Sequence, residues 1–251
     1  MNAETKDFYM SLKPLEDRPT HSPLGASGAE RWMKCSGSVG LINLLDLPVE
    51  ESEHASLGTS AHSACAVALA TGVDAWELIG SCFGPHKVDA GMAEAIQVYV
   101  DHCRPILQKP GVTYYIEEPI TAPVHDDYYG TGDFIAYEEA IALLDVVDYK
   151  HGIGITVEAD DNPQLKYYAF GALQKHPDAR RVRMTIVQPR GFHVDGPVRS
   201  WEMSAEDLVD WVYKELVPAM NRTATDKTLD LGEHCRFCPA RIVCPAMEKA
   251  M

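Results

Sequence analysis

The chain has 251 residues, 46% of them hydrophobic, and 37 acidic against 22 basic side chains give a formal net charge of −15. That length supports a core of its own, and the apolar content excludes a disordered polyelectrolyte. No apolar stretch approaches the ~20 residues of a membrane span, and the first twenty residues mix Glu4, Lys6, Asp7, Lys13, Glu16 and Asp17 rather than forming a secretory signal; a soluble, cytoplasmic protein with no membrane contact is expected. On its face −15 also argues against nucleic acid, because phosphate contacts are made mainly by Lys and Arg.

Residues 1–22 are polar, carry Pro14 and Pro19, and read as a flexible arm. Ser27 is placed to cap a first helix that carries Trp32 and Met33 up to Cys35. Small and apolar residues from Ala55 to Thr71, stopped by Gly72, predict a buried helix. A second long helix fits Val88 to Leu107, where Met92, Ile96, Tyr99, Val100 and Cys103 recur at spacings of three and four. Strands are expected at Val112–Glu118, Gly132–Tyr137, Ala142–Tyr149 and Val182–Gln188, all rich in Val, Ile, Tyr and Thr. The first three form a meander. Helical spacing returns from Asn162 to Gln174, so the Val182 strand follows as in a βαβ crossover. A last helix opens at Ser204, with Glu206 and Asp207 in its first turn, and runs to about Pro218. The fold class is α/β, a mixed sheet flanked by helices.

Chemistry concentrates around Thr131-Gly-Asp133 and Asp148-Tyr-Lys150-His-Gly152. Asp148 and Lys150 are two apart on a strand and share one face, while Asp133 arrives from the neighbouring strand. Two carboxylates beside an ammonium group suit Mg²⁺ or Mn²⁺. Such an ion activates water and offsets charge on a phosphodiester. Alone, a D-x-K pair reads as a strand-end salt bridge.

Four ordered elements resemble the RecB-type branch of the PD-(D/E)XK nuclease superfamily. They are Gly58-Thr-Ser-Ala-His62 on a helix, Gly132-Asp133, Val146-Val-Asp148-Tyr-Lys150 followed by Gly152, and Gln164-Leu-Lys-Tyr-Tyr168. His151 stands where that branch usually has Thr. The resemblance implies a PD-(D/E)XK, restriction-endonuclease-like core. In it His62, Asp133 and Asp148 hold the metal, Lys150 supports the nucleophile or transition state, and Gln164 with Tyr168 positions the strand. The imidazole would favour Mn²⁺ somewhat over Mg²⁺. Glu117 and Glu118, before Pro119, end a strand; one of them could face the metal, and neither is assigned to the site.

Seven cysteines, an odd number without a secretion signal, do not read as a disulfide framework. Cys65, Cys82 and Cys103 fall in apolar or helical stretches and read as small hydrophobes. The C-terminus instead carries Cys235-x2-Cys238-x5-Cys244-Pro245, and 199 residues intervene between Cys35 and the first of these. This layout resembles the four-cysteine [4Fe–4S] site of iron–sulfur RecB-like nucleases, such as CRISPR-associated exonucleases and AddB-type nuclease domains; Zn²⁺ is the alternative occupant. Tying such distant segments would remove about 4–5 kcal/mol of loop entropy from the unfolded chain.

The organisation implied is one domain over residues 23–251. Residues 55–200 form the catalytic core, and 27–40 with 228–251 form the cysteine lobe. The charge objection is met locally: from Gln174 to Ser200 six basic residues oppose two acids. Arg181, Arg183, Arg190 and Lys166 are the candidate DNA contacts. The expected function is metal-dependent DNA hydrolysis, exonucleolytic rather than endonucleolytic. By resemblance it would act in phage or mobile-element recombination or end processing, with an annealing partner protein or as a homo-oligomeric ring. The competing readings are a non-catalytic DNA-binding or assembly module and a zinc-stapled structural protein.

Overall fold

The structure is a computed structural model and describes residues 21–45 and 52–250; nearly all of the expected N-terminal arm lies outside them. The chain is a mixed α/β protein built on a five-stranded sheet of order β3-β4-β5-β6-β7. The strands are β3 Val112–Thr121, β4 Tyr129–Glu138, β5 Leu143–Tyr149, β6 Arg181–Val187 and β7 Val198–Ser204, and a separate hairpin pairs β1 Cys82–Phe83 with β2 His86–Lys87. β4 runs antiparallel to β5, β5 parallel to β6, and β6 antiparallel to β7. The parallel step is the expected crossover, made through a helix at Pro163–Leu173. β7 and the β1–β2 hairpin escaped the sequence reading. The alternating polar residues of β7, an edge strand, and the two-residue length of β1 and β2 explain why.

The chain divides into two compact units. One comprises Glu50–Ile120 and Thr131–Glu206, the other the described residues up to Leu45 with Thr121–Gly130 and those from Asp207 on. In the first unit, helix α3 (Glu53–Thr71) begins at Ser52, whose hydroxyl accepts from the Ala55 amide at 3.2 Å, and ends at Gly72 with φ 75°. Its small residues Ala61, Ala64, Cys65 and Ala68 let it approach helix α4 (Ala90–Leu107) closely. Helix α4 starts two residues later than its apolar pattern suggests, because Asp89 caps it through the Met92 amide at 2.7 Å. Both helices pack with Phe134, Ala136, Val147, Tyr149 and Val187 of the sheet into one core. Each fully buried Ile, Met or Tyr of that core contributes about 1.5–3 kcal/mol. Helix α5 (Pro163–Leu173) packs on β5 and β6, capped by the Asn162 side chain.

In the second unit, helices α1 (Ala29–Lys34) and α2 (Gly37–Leu45) meet α7 (Val217–Thr225). Ser27 does not cap α1. It sits inside a 3₁₀ turn, Ala26–Gly28, and Trp32 is fixed instead by its Nε1–H bond to the Gly25 carbonyl at 3.1 Å. The expected stop at Pro218 is also absent. Helix α6 (Ala205–Trp211) continues through a π turn, Val212–Leu216, into α7, where Pro218 occupies a first-turn position that needs no amide donor. The last described element is helix α8 (Pro245–Ala250). Among the described residues no helix is long and apolar enough to cross a membrane.

Candidate active site

The four sequence elements meet where β5 ends. The β4–β5 register pairs Phe134 with Val147, so Asp133 falls opposite Asp148 one step beyond the last recorded pair. There the ladder gives way to a side chain: the Tyr149 amide donates to Asp133 Oδ2 at 2.7 Å. His62, from α3, places Nδ1 3.2 Å from the same oxygen. Its ring stands edge-on to Tyr149, 5.4 Å between centroids.

Asp148, Lys150 and Gln164 form a closed ring of contacts. Lys150 Nζ lies 2.9 Å from Asp148 Oδ2 and donates to Gln164 Oε1 at 2.8 Å, while Gln164 Nε2 donates to Asp148 Oδ1 at 3.1 Å. An amide has one acceptor and one donor end, and a cation and a carboxylate orient both without ambiguity. Gln164 Nε2 also reaches the Tyr168 hydroxyl at 3.4 Å. Gln164 and Tyr168 are one helical turn apart on α5, which explains their common face. Helix α5 thus opens on the site, with Asn162 accepting from the Gln164 and Leu165 amides.

Burial sets the electrostatics. It raises the Asp148 carboxyl above the usual carboxylate range, since Lys150 only partly compensates and Asp133 adds repulsion. Burial acts on Asp133 the same way, yet His62 and the Tyr149 amide hold it below its ordinary value. Burial opposes charge on His62, but Asp133 outweighs it and lifts the imidazole to about 9. The Tyr168 hydroxyl is pushed up by burial and by both aspartates, so it remains a neutral donor.

One further acid joins this group. His62, Glu117 and Asp133 each offer a donor atom, and the three lie within 4.8 Å of one another. The sequence left Glu117 unassigned. Its place depends on a left-handed backbone, φ 52°, in the middle of β3, which no residue pattern announces. Glu118 beside it pairs with Lys175. Desolvation, reinforced by Asp133, raises the Glu117 carboxyl to about 7. The donor chemistry fits a divalent cation: imidazole nitrogen and carboxylate oxygens, beside Asp148 Oδ2, a buried oxygen that accepts no well-directed hydrogen bond.

A buried polar chain lies next to the site. Arg190 Nη1 stands 2.6 Å from His151 Nε2, and His151 Nδ1 2.8 Å from the Tyr149 hydroxyl. Arginine can only donate, so Nε2 is the bare nitrogen and the proton sits on Nδ1. Burial, then Arg190, depresses His151 to about 4.

The four candidate cysteines, Cys35, Cys235, Cys238 and Cys244, line one pocket together with Arg31 and Arg241 among others. Ser36 and Gly37 bring Cys35 there: the Ser36 hydroxyl bonds Asp226 Oδ2 at 2.8 Å and the Gly37 amide bonds the Thr228 carbonyl at 2.9 Å. A Cβ at Gly37 would stand 2.4 Å from the Lys227 carbonyl oxygen, so only glycine permits this approach. Four thiols around a cavity with two guanidinium groups fit a thiolate-held cluster, whose net charge is negative.

The expected DNA contacts are placed less simply. Lys166 is corrected outright. It is 3% exposed, bonds Asp161 at 2.5 Å, and lies 5.9 Å over the Trp201 ring, where no phosphate can reach it. Arg183 grips the buried Asp145 with two bonds, 2.5 and 2.9 Å, and Arg181 bonds Glu202 at 3.2 Å. Arg190 is turned to His151. Sequence charge counts could not show that each of these cations has a partner within the protein.

Two solved structures are similar over nearly the whole chain. One is SSO0001, 10% identical, with 97% of this chain and 94% of that chain covered and a TM-score of 0.41. The other is a candidate exonuclease from Eubacterium rectale, 13% identical, with 97% and 93% covered and a TM-score of 0.47. A family model described as "Protein of unknown function (DUF2800)" matches residues 21–251, and the chain belongs to that family.

Proposed function

We propose that this chain is a metal-dependent deoxyribonuclease of the RecB-like PD-(D/E)XK type, working from DNA ends, with a [4Fe–4S] cluster in its cysteine lobe. One observation carries the reading. Motifs spread from His62 to Tyr168 converge on a single hydrogen-bonded site in which every side chain has the partner its role requires.

His62, Asp133 and Asp148 would hold Mg²⁺ or Mn²⁺. When bound, such an ion supplies positive charge against a phosphodiester and acidifies water. The chain's own groups do the rest. Lys150, fixed by Asp148 and Gln164, would offset charge on the phosphate or orient the attacking water. Gln164 keeps Lys150 and Asp148 at hydrogen-bond distance and so spares them reorganisation during the reaction. Tyr168, neutral and packed on Gln164, braces that amide and offers a donor to the strand. Cys35, Cys235, Cys238 and Cys244 would hold the cluster, which would staple the two ends of the chain. With Lys166 buried and Arg181, Arg183 and Arg190 each bonded to a partner within the chain, DNA would be held through the metal site and through a partner protein or a homo-oligomer. Such a demand suits phage-type recombination or end processing.

Duplex DNA labelled on both strands tests the reading. The purified chain should degrade it with Mg²⁺ or Mn²⁺, while Asp148→Ala and Lys150→Ala should each lose at least about 100-fold. Equal activity in wild type and variants refutes the mechanism. Anaerobic purification should give a brown, iron-containing protein; a colourless, zinc-containing one refutes the cluster.

A further inference from the structure

We propose that Arg31 is the built-in counter-charge of the cysteine-bound cluster and sets its reduction potential, a role that the resemblance does not supply. The inference rests on the cluster reading above. Its first support is position. Arg31 lines the pocket with Cys35, Cys235, Cys238 and Cys244, and stands within electrostatic reach of Cys35 and Cys238, which come from distant parts of the chain. The second support is fixation. Arg31 Nη1 donates to Ser38 Oγ at 2.7 Å, and that hydroxyl donates to the Cys35 carbonyl at 2.6 Å. The Cys35 amide donates in turn to the Arg31 carbonyl at 2.8 Å. Ser38 is 2% exposed, so solvent does not compete for these bonds. The guanidinium is thus tied to the residue whose sulfur it would serve, and its remaining N–H groups are open to sulfur.

The third support is that no carboxylate claims this cation. Among the described residues no acidic partner is recorded for Arg31, and its neighbour Glu30 pairs instead with Lys34 at 2.9 Å. A half-buried cation without an acid is costly until an anion completes it. Four thiolates outweigh the charge of an iron–sulfur core, and the whole becomes one unit more negative on taking an electron. A fixed cation favours that reduced state and so raises the potential. Arg241, on the same pocket, is exposed, and solvent screens its charge.

A reductive titration of the full chain, purified anaerobically and followed by electron paramagnetic resonance, tests this. Each electron comes from the dithionite radical, which is oxidised as the cluster is reduced. At a fixed potential, Arg31→Gln should lower the reduced-to-oxidised ratio about ten-fold, a shift of about 59 mV for one electron. Arg31→Lys should stay within about three-fold of wild type, and Lys34→Gln, which removes an exposed and already paired charge, within about two-fold. An unchanged ratio in Arg31→Gln, with iron retained, overturns the proposal and leaves the cluster reading standing. An equal shift in Lys34→Gln overturns it too, because any nearby charge would then serve. Should Arg31→Gln fail to keep iron, Arg31→Lys decides. Iron and a near-wild-type ratio in the lysine variant assign the charge to the cluster, whereas loss of iron from both marks Arg31 as structural and overturns the proposal. A colourless, zinc-containing wild type overturns this inference and the cluster together, and leaves the site at Asp133 and Asp148 to its own assay.

Discussion

Gly171→Ala should destabilise the protein, although alanine is the better helix former. Gly171 lies in α5 against β3, and a Cβ there would stand 2.8 Å from Ile120 Cβ, 3.0 Å from its Cδ1 and 3.3 Å from its Cγ1. The nearest of these atoms is fixed to the strand backbone and cannot rotate away. Carbon atoms rest about 3.5–4.0 Å apart, so α5 must retreat by nearly an ångström at that point. Overpacking of this kind costs about 1–3 kcal/mol, and a rigid obstacle puts it in the upper half of that range. Alanine returns about 1 kcal/mol of helix propensity. The net loss is about 1–2 kcal/mol, or a fall in Tm of about 3–6 °C for a chain of this size. Urea and thermal unfolding followed by circular dichroism read it directly. Gly58→Ala in α3 is the control: nothing lies within 4 Å of its Cβ, so it should gain about 0.5–1 kcal/mol. If Gly171→Ala matches or exceeds wild type, α5 does not pack as closely on β3 as described, and the placement of Gln164 falls with it.

Two further outcomes follow from buried charge. His151 is buried, and with Arg190 beside it its pKa is depressed from 6.5 to about 4. The folded value lies below the unfolded one, so the stability is complete above about pH 6.5 and is lost as pH falls toward 4, by about 3 kcal/mol at most. His151→Gln should flatten that acid limb in urea titrations across pH 4–7; an unchanged limb refutes the neutral assignment. Arg183→Met strands the buried Asp145 carboxylate and should cost about 3–5 kcal/mol, while adding Asp145→Leu should recover most of it. A double variant no more stable than the single one would refute the ion-pair account.

The sequence made the site readable for a physical reason. His62, Asp133, Asp148, Lys150, Gln164 and Tyr168 are placed by regular elements, and periods of 2 and 3.6 carry through from residue order to geometry. Strand alternation put Asp148 with Lys150, and one helical turn put Gln164 with Tyr168. What failed to carry through depends on other things. Glu117 joins the site through a left-handed backbone angle at a residue that is not glycine. Lys166 looked like a surface cation because nothing in its neighbours' identity reveals that Asp161 and Trp201 enclose it. Pro218 looked like a helix stop, yet the π turn before it gives its ring a first-turn position. Apolar pattern locates elements; their irregularities arise from long-range packing and leave weak local traces.

The π turn at Val212–Leu216 has its own consequence. The Val217 amide reaches back to the Val212 carbonyl, five residues away rather than four, so the turn holds one residue more than an α-helix would. Each α-helical residue advances about 100° around the axis. Winding the same residues as regular α-helix would carry everything beyond them round by that angle. Ala219, Met220 and Thr223 would leave their buried positions, and the 226–228 segment that receives Ser36 and Gly37 would point elsewhere. The π turn absorbs the extra residue and so works as a phase setter, a local irregularity that decides which way the far end of the chain faces.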